Sequence, residues 1–289
     1  MKIRKAIIPV AGMATRFLPA AKAQPKEMMP VVDKPIIQYI VEEAVAAGIE
    51  EIILVTAIGK RAIEDHFDRN FELEYRLREK KKKKELATVA AIGHLAKFAF
   101  VRQNKPLGDG HAVLAALPFV DSNEPVAVLF GDDIISGKIP GIKQVIEAYE
   151  KCNASVVCME KVPARDTHLY GIMGGTMADK NTMRISAFVE KPAQGKAPSS
   201  YAAIGRYVIT PDMMRILKKQ KPGKDGEIRL ADAFQTALKK DIPLYGRVLS
   251  GTRHDCGNKL GYVIAQIEMG LEHPDVRDGL KAYLRKKRA

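Results

Sequence analysis

The chain has 289 residues, of which 46% are hydrophobic and 28% are charged, a composition typical of soluble globular proteins. No run of about 18 apolar residues occurs, which excludes a membrane-spanning helix. The apolar stretch near the N-terminus is short and interrupted by Pro9, so a signal peptide is not expected. The three cysteines lack the spacing of a zinc site, which favours a reducing, cytoplasmic compartment.

The formal net charge of +13 favours anionic partners. Much of this charge is concentrated in the block Lys80–Lys84 and in the basic C-terminal sequence LRKKRA. We interpret these segments as solvated helix faces or a frayed tail rather than as binding patches. No aromatic RNP-like run and no zinc-finger spacing accompany the charge, so nucleic acid is not expected as a partner. Small phosphorylated ligands are the better explanation.

In the first half of the chain, apolar runs alternate with helical patterns. A helix is predicted after Asp33 as N-cap, with Pro35 in its first turn and Gly48 as its stop. Residues 74–89 predict a charged helical excursion. The other expected elements are strands at 5–10, 50–56, 98–103 and 125–130, and helices at 60–68 and 110–117. This βαβ series predicts a parallel sheet with helices on both faces.

From about residue 154 the pattern changes to strands with few helices between them, which indicates an antiparallel or mixed portion. Helices are expected again at 211–220, at 226–240 and from Asn258 onward. We expect an α/β, Rossmann-like fold with a mixed, mostly parallel central sheet, flanking helices and a smaller antiparallel portion. It would form one domain, 1–289, with halves at 1–150 and 151–257 and C-terminal helices at 258–289.

The loop from Pro9 to Pro30 follows the first strand, and ligands of open α/β sheets bind beyond the carboxyl ends of strands. It offers one glycine, Gly12, for close backbone approach, and two cations, Arg16 and Lys26, that suit a polyphosphate. Neither G-x-x-x-x-G-K-[ST] nor G-x-G-x-x-G occurs after the strand. A proline-rich surface loop with incidental basic residues is the alternative for this segment.

Two acidic positions are candidates for binding a metal. Asp132 and Asp133 directly follow an apolar strand, where a carboxylate is well placed to hold Mg²⁺ together with substrate phosphates. A turn or N-cap role is the alternative. Asp255 stands between His254 and Cys256. A transition-metal site is disfavoured there because no further His/Cys cluster accompanies them.

Glu190 and Lys191 end a predicted strand in the sequence FVEKP. Adjacent strand residues normally point to opposite faces, but the turn into Pro192 can direct both toward a cleft. Glu190 would then accept hydrogen bonds from sugar hydroxyls, and Lys191 would hold a monophosphate. An exposed Glu–Lys pair is the alternative.

Taken together, these motifs resemble the bacterial UTP–glucose-1-phosphate uridylyltransferases of the sugar nucleotidyltransferase superfamily. The resemblance covers nearly the whole chain, in family order. It rests on the segments IIPVAGMATRFLPAAKAQPKEMMPVVDKPIIQYIVEEAVAAGI, IEDHFDRNFELE, VRQNKPLGDGHAVL, GDDI, VEKP, AIGRYV, GEIRLADA and HDCGNKLGYVIA. It implies a Rossmann-like nucleotidyltransferase, dependent on Mg²⁺, that forms UDP-glucose and pyrophosphate from UTP and glucose 1-phosphate, usually as a homodimer or homotetramer.

The resemblance also implies roles for individual residues. The catalytic group would be Arg16, Lys26, Asp132 and Lys191. The nucleotide would be bound by Ala11, Gly12, Gln103 and Gly108. The sugar would be bound by Gly171, Glu190, Lys191 and Gly205. The magnesium ion would be held by Asp132 and Asp255.

The sequence departs from the family pattern at several positions near these motifs. They are Ala14 and Ala21 in the first loop, Leu107 and Asp109 in KPLGDGH, and Arg229 and Ala231 in GEIRLADA. We expect Ala14 to have a negative φ, at which its methyl group costs little. The departures leave three alternatives open: an active uridylyltransferase, a sister enzyme that uses dTTP or another sugar 1-phosphate, and a non-catalytic nucleotide-sugar-binding paralogue.

Overall fold

The computed structural model describes residues 2–223 and 225–288. The apolar runs identified in the sequence form strands, which we number in chain order. They are β1 Lys5–Pro9, β2 Pro30–Val31, β3 Lys34–Pro35, β4 Glu51–Thr56, β5 Lys97–Arg102, β6 Val126–Leu129, β7 Asp133–Ser136, β8 Ser155–Lys161, β9 Gly171–Met177, β10 Thr182–Glu190, β11 Tyr201–Ile209, β12 Leu244–Val248 and β13 Thr252–Asp255.

The α-helices cover both faces of the sheet that these strands build. They are α1 Ile36–Ala46, α2 Arg61–Phe67, α3 Phe71–Glu79, α4 Lys83–Ile92, α5 Asp109–Ala116, α6 Gly141–Cys152, α7 Pro211–Lys219, α8 Leu230–Lys239, α9 Lys259–Glu272 and α10 Arg277–Arg288. None of the helices in residues 2–223 and 225–288 combines the length and apolar character that a membrane span requires.

Nine of the described strands form one sheet in the order β5-β4-β1-β6-β11-β8-β12-β10-β9. Neighbours β5, β4, β1 and β6 are parallel, as are β8 and β12. Strand β11 runs against β6 and β8, and β10 runs against β9 and β12. Two of the nine strands therefore oppose the other seven, which confirms a mixed, mostly parallel sheet with its antiparallel part in the second half.

The hydrophobic core lies in two layers, one on each face of the sheet. On one face, Ile36, Ile37 and Ile40 of α1 pack with apolar residues of α6 and of the central strands. The spacing of these isoleucines places them on one side of the helix, as the periodicity predicts. On the other face, α5, α7 and α8 pack over β1, β6 and β11. Both layers hold the carboxyl ends of β1, β5 and β6 together at one edge.

The start of α1 differs from the prediction. Asp33 is not its N-cap, because residues 30–35 pair as a hairpin in which Val31 faces Lys34, and Pro35 occupies the cap position instead. Gly48 follows the helix with φ of +93°, which confirms it as the stop.

Two other helical predictions are also altered by backbone turns. The charged excursion divides into α3 and α4 because Lys81 adopts φ of +55° between them. The predicted helix at 226–240 begins only at Leu230. Arg229 before it is extended, and Ile228 N–H donates to the carbonyl of Leu107 at 2.7 Å. That contact fastens residues 107–111 to the entrance of α8.

Two short strands that the sequence did not suggest complete the fold near the carboxyl ends of the sheet. Strands β7 and β13 pair antiparallel and place Asp255 opposite Asp133. Each strand has only four residues. Through this pairing, a residue near the C-terminus reaches the edge at which the first loop lies.

Candidate active site

Two adjoining cavities lie beyond the carboxyl ends of the strands. The loop cavity, of about 580 Å³, is formed mainly by the loop after β1 and by residues 103–109. The inner cavity, of about 260 Å³, lies against β9, β10 and β11. Residues that line both cavities mark their boundary: Arg16, Asp109, Phe130, Asp132, Glu190 and Lys191.

The structure brings every sequence-predicted site residue to one or both cavities. The loop cavity is lined by Ala11, Gly12, Arg16, Lys26, Gln103, Gly108, Asp132, Glu190 and Lys191. The inner cavity is lined by Arg16, Asp132, Gly171, Glu190, Lys191, Gly205 and Asp255. The proposed roles of these residues remain predictions, but their convergence from separate parts of the chain gives those roles a common location.

The loop after β1 holds its charged side chains through two ion pairs, one half-buried and one buried. Lys26 Nζ lies 2.6 Å from Asp132 Oδ2. The next residue, Glu27, is buried and accepts a hydrogen bond from Lys60 Nζ at 2.7 Å. Burial raises the pKa of Glu27, although the charges of Lys60 and Lys26 oppose the change. Glu27 thus anchors the loop from beneath and keeps Lys26 directed toward the cavities.

The Lys26–Asp132 pair is mutually stabilised. Burial raises the pKa of Asp132, but the charge and hydrogen bond of Lys26 outweigh burial, so its pKa lies below the ordinary value. Burial lowers the pKa of Lys26, but the charge and hydrogen bond of Asp132 together with the charge of Glu27 outweigh that effect and leave the pKa of Lys26 raised. Both groups are therefore charged at neutral pH.

Ala14 has φ of +54° and ψ of +35°, so the expectation of a negative φ is wrong. Its carbonyl accepts a hydrogen bond from Phe17 N–H at 2.9 Å, starting a short 3₁₀ turn at Thr15–Phe17. The ring of Phe17 is buried, and it fixes this turn. An L-residue other than glycine pays roughly 1–2 kcal/mol in this left-handed region. The backbone at position 14 therefore adopts a conformation that favours glycine, although the residue is alanine.

The carboxylates of Asp132 and Asp255 converge beside Gly257. A Cβ atom added to Gly257 would lie 2.7 Å from Asp132 Oδ2 and 3.0 Å from Asp255 Oδ1. Such a pair of hard oxygen donors, both lining the inner cavity, fits Mg²⁺. The described residues contain no group of three or more His, Cys, Asp or Glu side chains that could hold a metal. An ion held here would therefore need further oxygen ligands from a bound phosphate or water.

Asp133 is held by hydrogen bonds within the fold and has a structural role. Its Oδ2 accepts from Gly205 N–H at 3.2 Å, and its Oδ1 accepts from Arg253 Nε at 2.8 Å. Burial raises the pKa of Asp133, and the charge of Arg253 opposes the rise. Of the two carboxylates in the GDD sequence, only Asp132 lines the loop cavity.

Arg253 is a site residue that the sequence reasoning missed. Its guanidinium also donates to Glu160 at 2.8 Å, lies 3.6 Å from Asp255 Oδ2 and lines the inner cavity. Arg253 belongs to β13, a strand that was not predicted, so no sequence pattern located it near the cavities. Its position two residues before Asp255 on one strand is a signal that could have found it, because such residues share a face.

Glu190 and Lys191 both line the two cavities, although they are adjacent in sequence. Lys191 adopts φ of +44° at the end of β10, which breaks the alternation of the strand. Its N–H donates to the carbonyl of Tyr170 at 3.0 Å and holds this turn. Burial raises the pKa of Glu190, with the charge of Lys191 opposing. The turn predicted at FVEKP is thus present.

Residues 103–109 form one wall of the loop cavity. The side-chain amide of Gln103 donates to the carbonyl of Gly108 at 3.0 Å and lies 2.9 Å from His111 Nδ1. Gly108 has φ of +96°, and an added Cβ would lie 2.7 Å from the carbonyl of Ile228. A side chain at 108 would therefore disturb the wall. Arg229 also lines this cavity and pairs with Glu227 at 3.0 Å.

Comparison with known proteins agrees with this geometry. Residues 5–269 match the family described as nucleotidyl transferase. The chain is 47% identical to the UTP–glucose-1-phosphate uridylyltransferase of Bacillus subtilis (strain 168), over 98% of this chain and 96% of that protein. The chain therefore belongs to the nucleotidyl transferase family, among its UTP–glucose-1-phosphate uridylyltransferases.

Solved structures of similar proteins include nucleotide complexes. One is a UTP-bound UGPase from Acinetobacter baumannii, with a TM-score of 0.90 and 40% identity over 98% of this chain and 99% of that one. Another is a UDP-glucose pyrophosphorylase complexed with UDP-glucose, with a TM-score of 0.85 and 39% identity over 94% of this chain and 100% of that one. The expected nucleotidyltransferase fold is confirmed.

Proposed function

We propose that the chain joins UTP and glucose 1-phosphate to form UDP-glucose and pyrophosphate. The observation that carries the proposal is the pair of cavities that meet at Arg16, Asp132 and Lys191. Two anionic substrates must be brought together for this reaction, and the charged side chains lie where the cavities join. The names of the relatives and the UTP and UDP-glucose complexes of similar structures support the same substrates.

In this proposal UTP occupies the loop cavity. The backbone at Ala11 and Gly12 approaches the nucleotide, while Arg16 and Lys26 contact its phosphates. The edge of the uracil base is read by Gln103 and Gly108. These positions line the larger of the two cavities, which is the one that opens onto the first loop.

Glucose 1-phosphate then occupies the inner cavity. Glu190 accepts hydrogen bonds from its hydroxyls, the small residues Gly171 and Gly205 leave room for the ring, and Lys191 binds its phosphate. The close fit of Gly171 supports this role, because an added Cβ would lie 2.8 Å from Glu190 Oε2. The sugar phosphate is thereby directed toward the boundary with the loop cavity.

The chemistry requires alignment more than proton transfer. A phosphate oxygen of glucose 1-phosphate attacks the α-phosphorus of UTP, and pyrophosphate leaves on the opposite side. That oxygen is already a nucleophile, so no general base is needed. The protein supplies orientation of two mutually repelling anions and charge neutralisation in the transition state. Arg16, Lys26 and Lys191 are the cations that provide both.

We further propose that Asp132 and Asp255 hold Mg²⁺. Held there by the two carboxylates, the ion would supply positive charge to neutralise the phosphate oxygens. Lys26 now lies against Asp132, so its ammonium would exchange the carboxylate for phosphate oxygens when the nucleotide and the ion bind. The donor set favours a hard cation, since both groups are carboxylates.

Pyrophosphate release measured across four nucleoside triphosphates and several sugar 1-phosphates tests the proposal. We expect UTP with glucose 1-phosphate to give the highest kcat/KM, with turnover lost in EDTA. A preference for dTTP or for another sugar 1-phosphate would replace the proposal with the sister activity. Binding of UDP-glucose with no pyrophosphate release in any combination would indicate a non-catalytic paralogue.

Three further expectations belong to this proposal. The chain would act as a homodimer or homotetramer, and it would work in the cytoplasm, which the three free cysteines support. Residues 1–150 would bind the nucleotide, 151–257 the sugar phosphate, and the helices of 258–289 would complete the domain. Light scattering of the purified protein tests the first, and cell fractionation tests the second.

A further inference from the structure

Asp109 lies on the boundary between the loop cavity and the inner cavity, beside Glu190 and Lys191. Its carboxylate is held at one oxygen. Oδ1 accepts hydrogen bonds from Gly110 N–H at 2.7 Å and from Leu230 N–H at 3.1 Å. These two donors belong to the start of α5 and the start of α8, so the side chain connects two elements and its position is fixed.

The other oxygen of Asp109, Oδ2, accepts no hydrogen bond from the part of the chain that the structure describes. An oxygen without a protein donor, on a half-buried carboxylate that lines a cavity, is suited to a donor brought by a ligand. The charged and titratable groups that act on Asp109 are Glu190, Arg229 and Tyr207. None of these supplies a hydrogen bond to it.

Two residues next to Asp109 line only the inner cavity. Leu230, which donates to Oδ1, lines the inner cavity and not the loop cavity, and so does Tyr207. On the loop side, the amide of Gln103 already bonds to the carbonyl of Gly108. These neighbours set Asp109 beside the proposed sugar site, and the hydroxyl groups of a sugar are donors of the kind that Oδ2 lacks.

We propose that Asp109 is a specificity-determining residue whose carboxylate accepts a hydrogen bond from a hydroxyl group of the sugar 1-phosphate. This inference rests on the proposed function and names the substrate class of its inner cavity. With Glu190, Asp109 places two carboxylates on the boundary of that cavity. The cavity would thus favour a neutral hexose 1-phosphate and disfavour a sugar that carries a carboxylate, because like charges would repel.

The test compares the wild type with Asp109→Leu, in which an apolar side chain replaces both oxygens. The substrates are glucose 1-phosphate and its 2-, 3-, 4- and 6-deoxy analogues, each with UTP. For the wild type we expect one deoxy analogue to lower kcat/KM by about 10- to 100-fold, the usual loss when a buried acceptor is left unpaired. In Asp109→Leu that analogue and glucose 1-phosphate should be used within about twofold, with KM for UTP unchanged.

Persistence of every deoxy penalty in Asp109→Leu would overturn the inference, as would an increase in KM for UTP with the sugar profile unchanged. A wild type that turns over UTP and glucose 1-phosphate but shows no deoxy penalty would overturn the inference alone. A wild type with no turnover would overturn the proposed function as well. Asp121→Asn, an exposed change in the loop before β6, is the matched control and should behave as the wild type.

Asp109→Asn keeps the test decisive if the leucine variant fails to fold, because the amide oxygen can still accept from Leu230 N–H. It removes the negative charge and places an N–H₂ donor in the pocket. We expect the ratio of kcat/KM for glucose 1-phosphate to that for glucuronic acid 1-phosphate to fall at least fivefold. An unchanged ratio would contradict a carboxylate that faces the sugar.

Discussion

Lys26 and Asp132, 106 positions apart in the sequence, form an ion pair of 2.6 Å at the boundary of the two cavities. In the proposed reaction these two groups have different partners, because Lys26 binds phosphate and Asp132 binds Mg²⁺. Without substrate, each group neutralises the other. Because each charge stabilises the other, both side chains stay charged before substrate binds. Substrate binding would then exchange partners without creating an unpaired charge.

Replacing Asp132 with asparagine should lower kcat at least 100-fold and raise the Mg²⁺ concentration for half-maximal activity at least tenfold. The substitution removes one anionic ligand of the proposed metal site and leaves the shape of the side chain unchanged. Pyrophosphate release measured against Mg²⁺ concentration gives both values. Equal Mg²⁺ requirements for the variant and the wild type would remove Asp132 from the metal site.

Removal of metal should stop turnover without unfolding the protein. Among residues 2–223 and 225–288, no cluster of three or more potential ligands is present to serve as a structural metal site. We expect EDTA to abolish pyrophosphate release, excess Mg²⁺ to restore it, and the Tm of the free protein to change by less than about 1 °C. A large fall in Tm with EDTA would show that a metal supports the fold itself.

Lys191→Ala should lower kcat/KM for glucose 1-phosphate at least 100-fold with little effect on KM for UTP. The side chain of Lys191 is exposed toward the cavities, so its loss removes a phosphate contact and no packing. Lys196→Ala, an exposed lysine in the following loop, is the control and should retain full activity. Near-normal turnover of Lys191→Ala would contradict its role in binding the sugar phosphate.

The sequence was sufficient to predict the parallel half of the fold, because the strands that begin at Lys5, Glu51 and Lys97 are continuous apolar runs bounded by helical patterns. It was insufficient for β7 and β13. These strands have four residues each, and their pairing depends on contacts between Asp133 and Asp255, 122 positions apart (255 minus 133). Local periodicity contains no information on such pairings.

The site was predicted mainly through motifs at the ends of strands, which the topology gathers at one edge. Backbone conformation was harder to predict. Ala14 and Lys191 both adopt positive φ, which side chains of their type rarely do, and only the surrounding structure imposes it. Arg253 was missed for a related reason, since its partners Asp133 and Glu160 come from strands whose arrangement the sequence does not reveal.

Ala14→Gly should stabilise the protein, by up to about 1 kcal/mol. Glycine relieves the left-handed strain at φ of +54°, and the entropy that it adds to the unfolded chain offsets part of the gain. Chemical denaturation gives the free energy of unfolding. Ala23→Gly, where φ is −116°, is the matched control and should destabilise. A loss of stability in Ala14→Gly equal to that of the control would contradict the strain.

The contribution of Asp109 to the free energy of unfolding should depend on pH differently from that of an exposed carboxylate. Burial raises the pKa of Asp109 to about 6, although hydrogen bonds from Leu230 and Gly110 oppose the rise. Its folded pKa therefore exceeds its unfolded value of about 3.9. The folded state binds the proton more tightly, so this group's contribution to stability is full below about pH 4 and is lost as pH rises toward and through 6.

Asp109→Asn removes this titration. We expect the variant to gain stability relative to the wild type as pH rises, with a difference in the free energy of unfolding that is about 1 kcal/mol larger at pH 7.5 than at pH 5. Urea denaturation of both proteins at the two pH values gives that difference. Asp121→Asn, at an exposed site, should show no such change. A difference that stays constant or shrinks between pH 5 and 7.5 would mean that Asp109 is ionised in the fold as readily as in the unfolded chain, and that its burial does not oppose its charge.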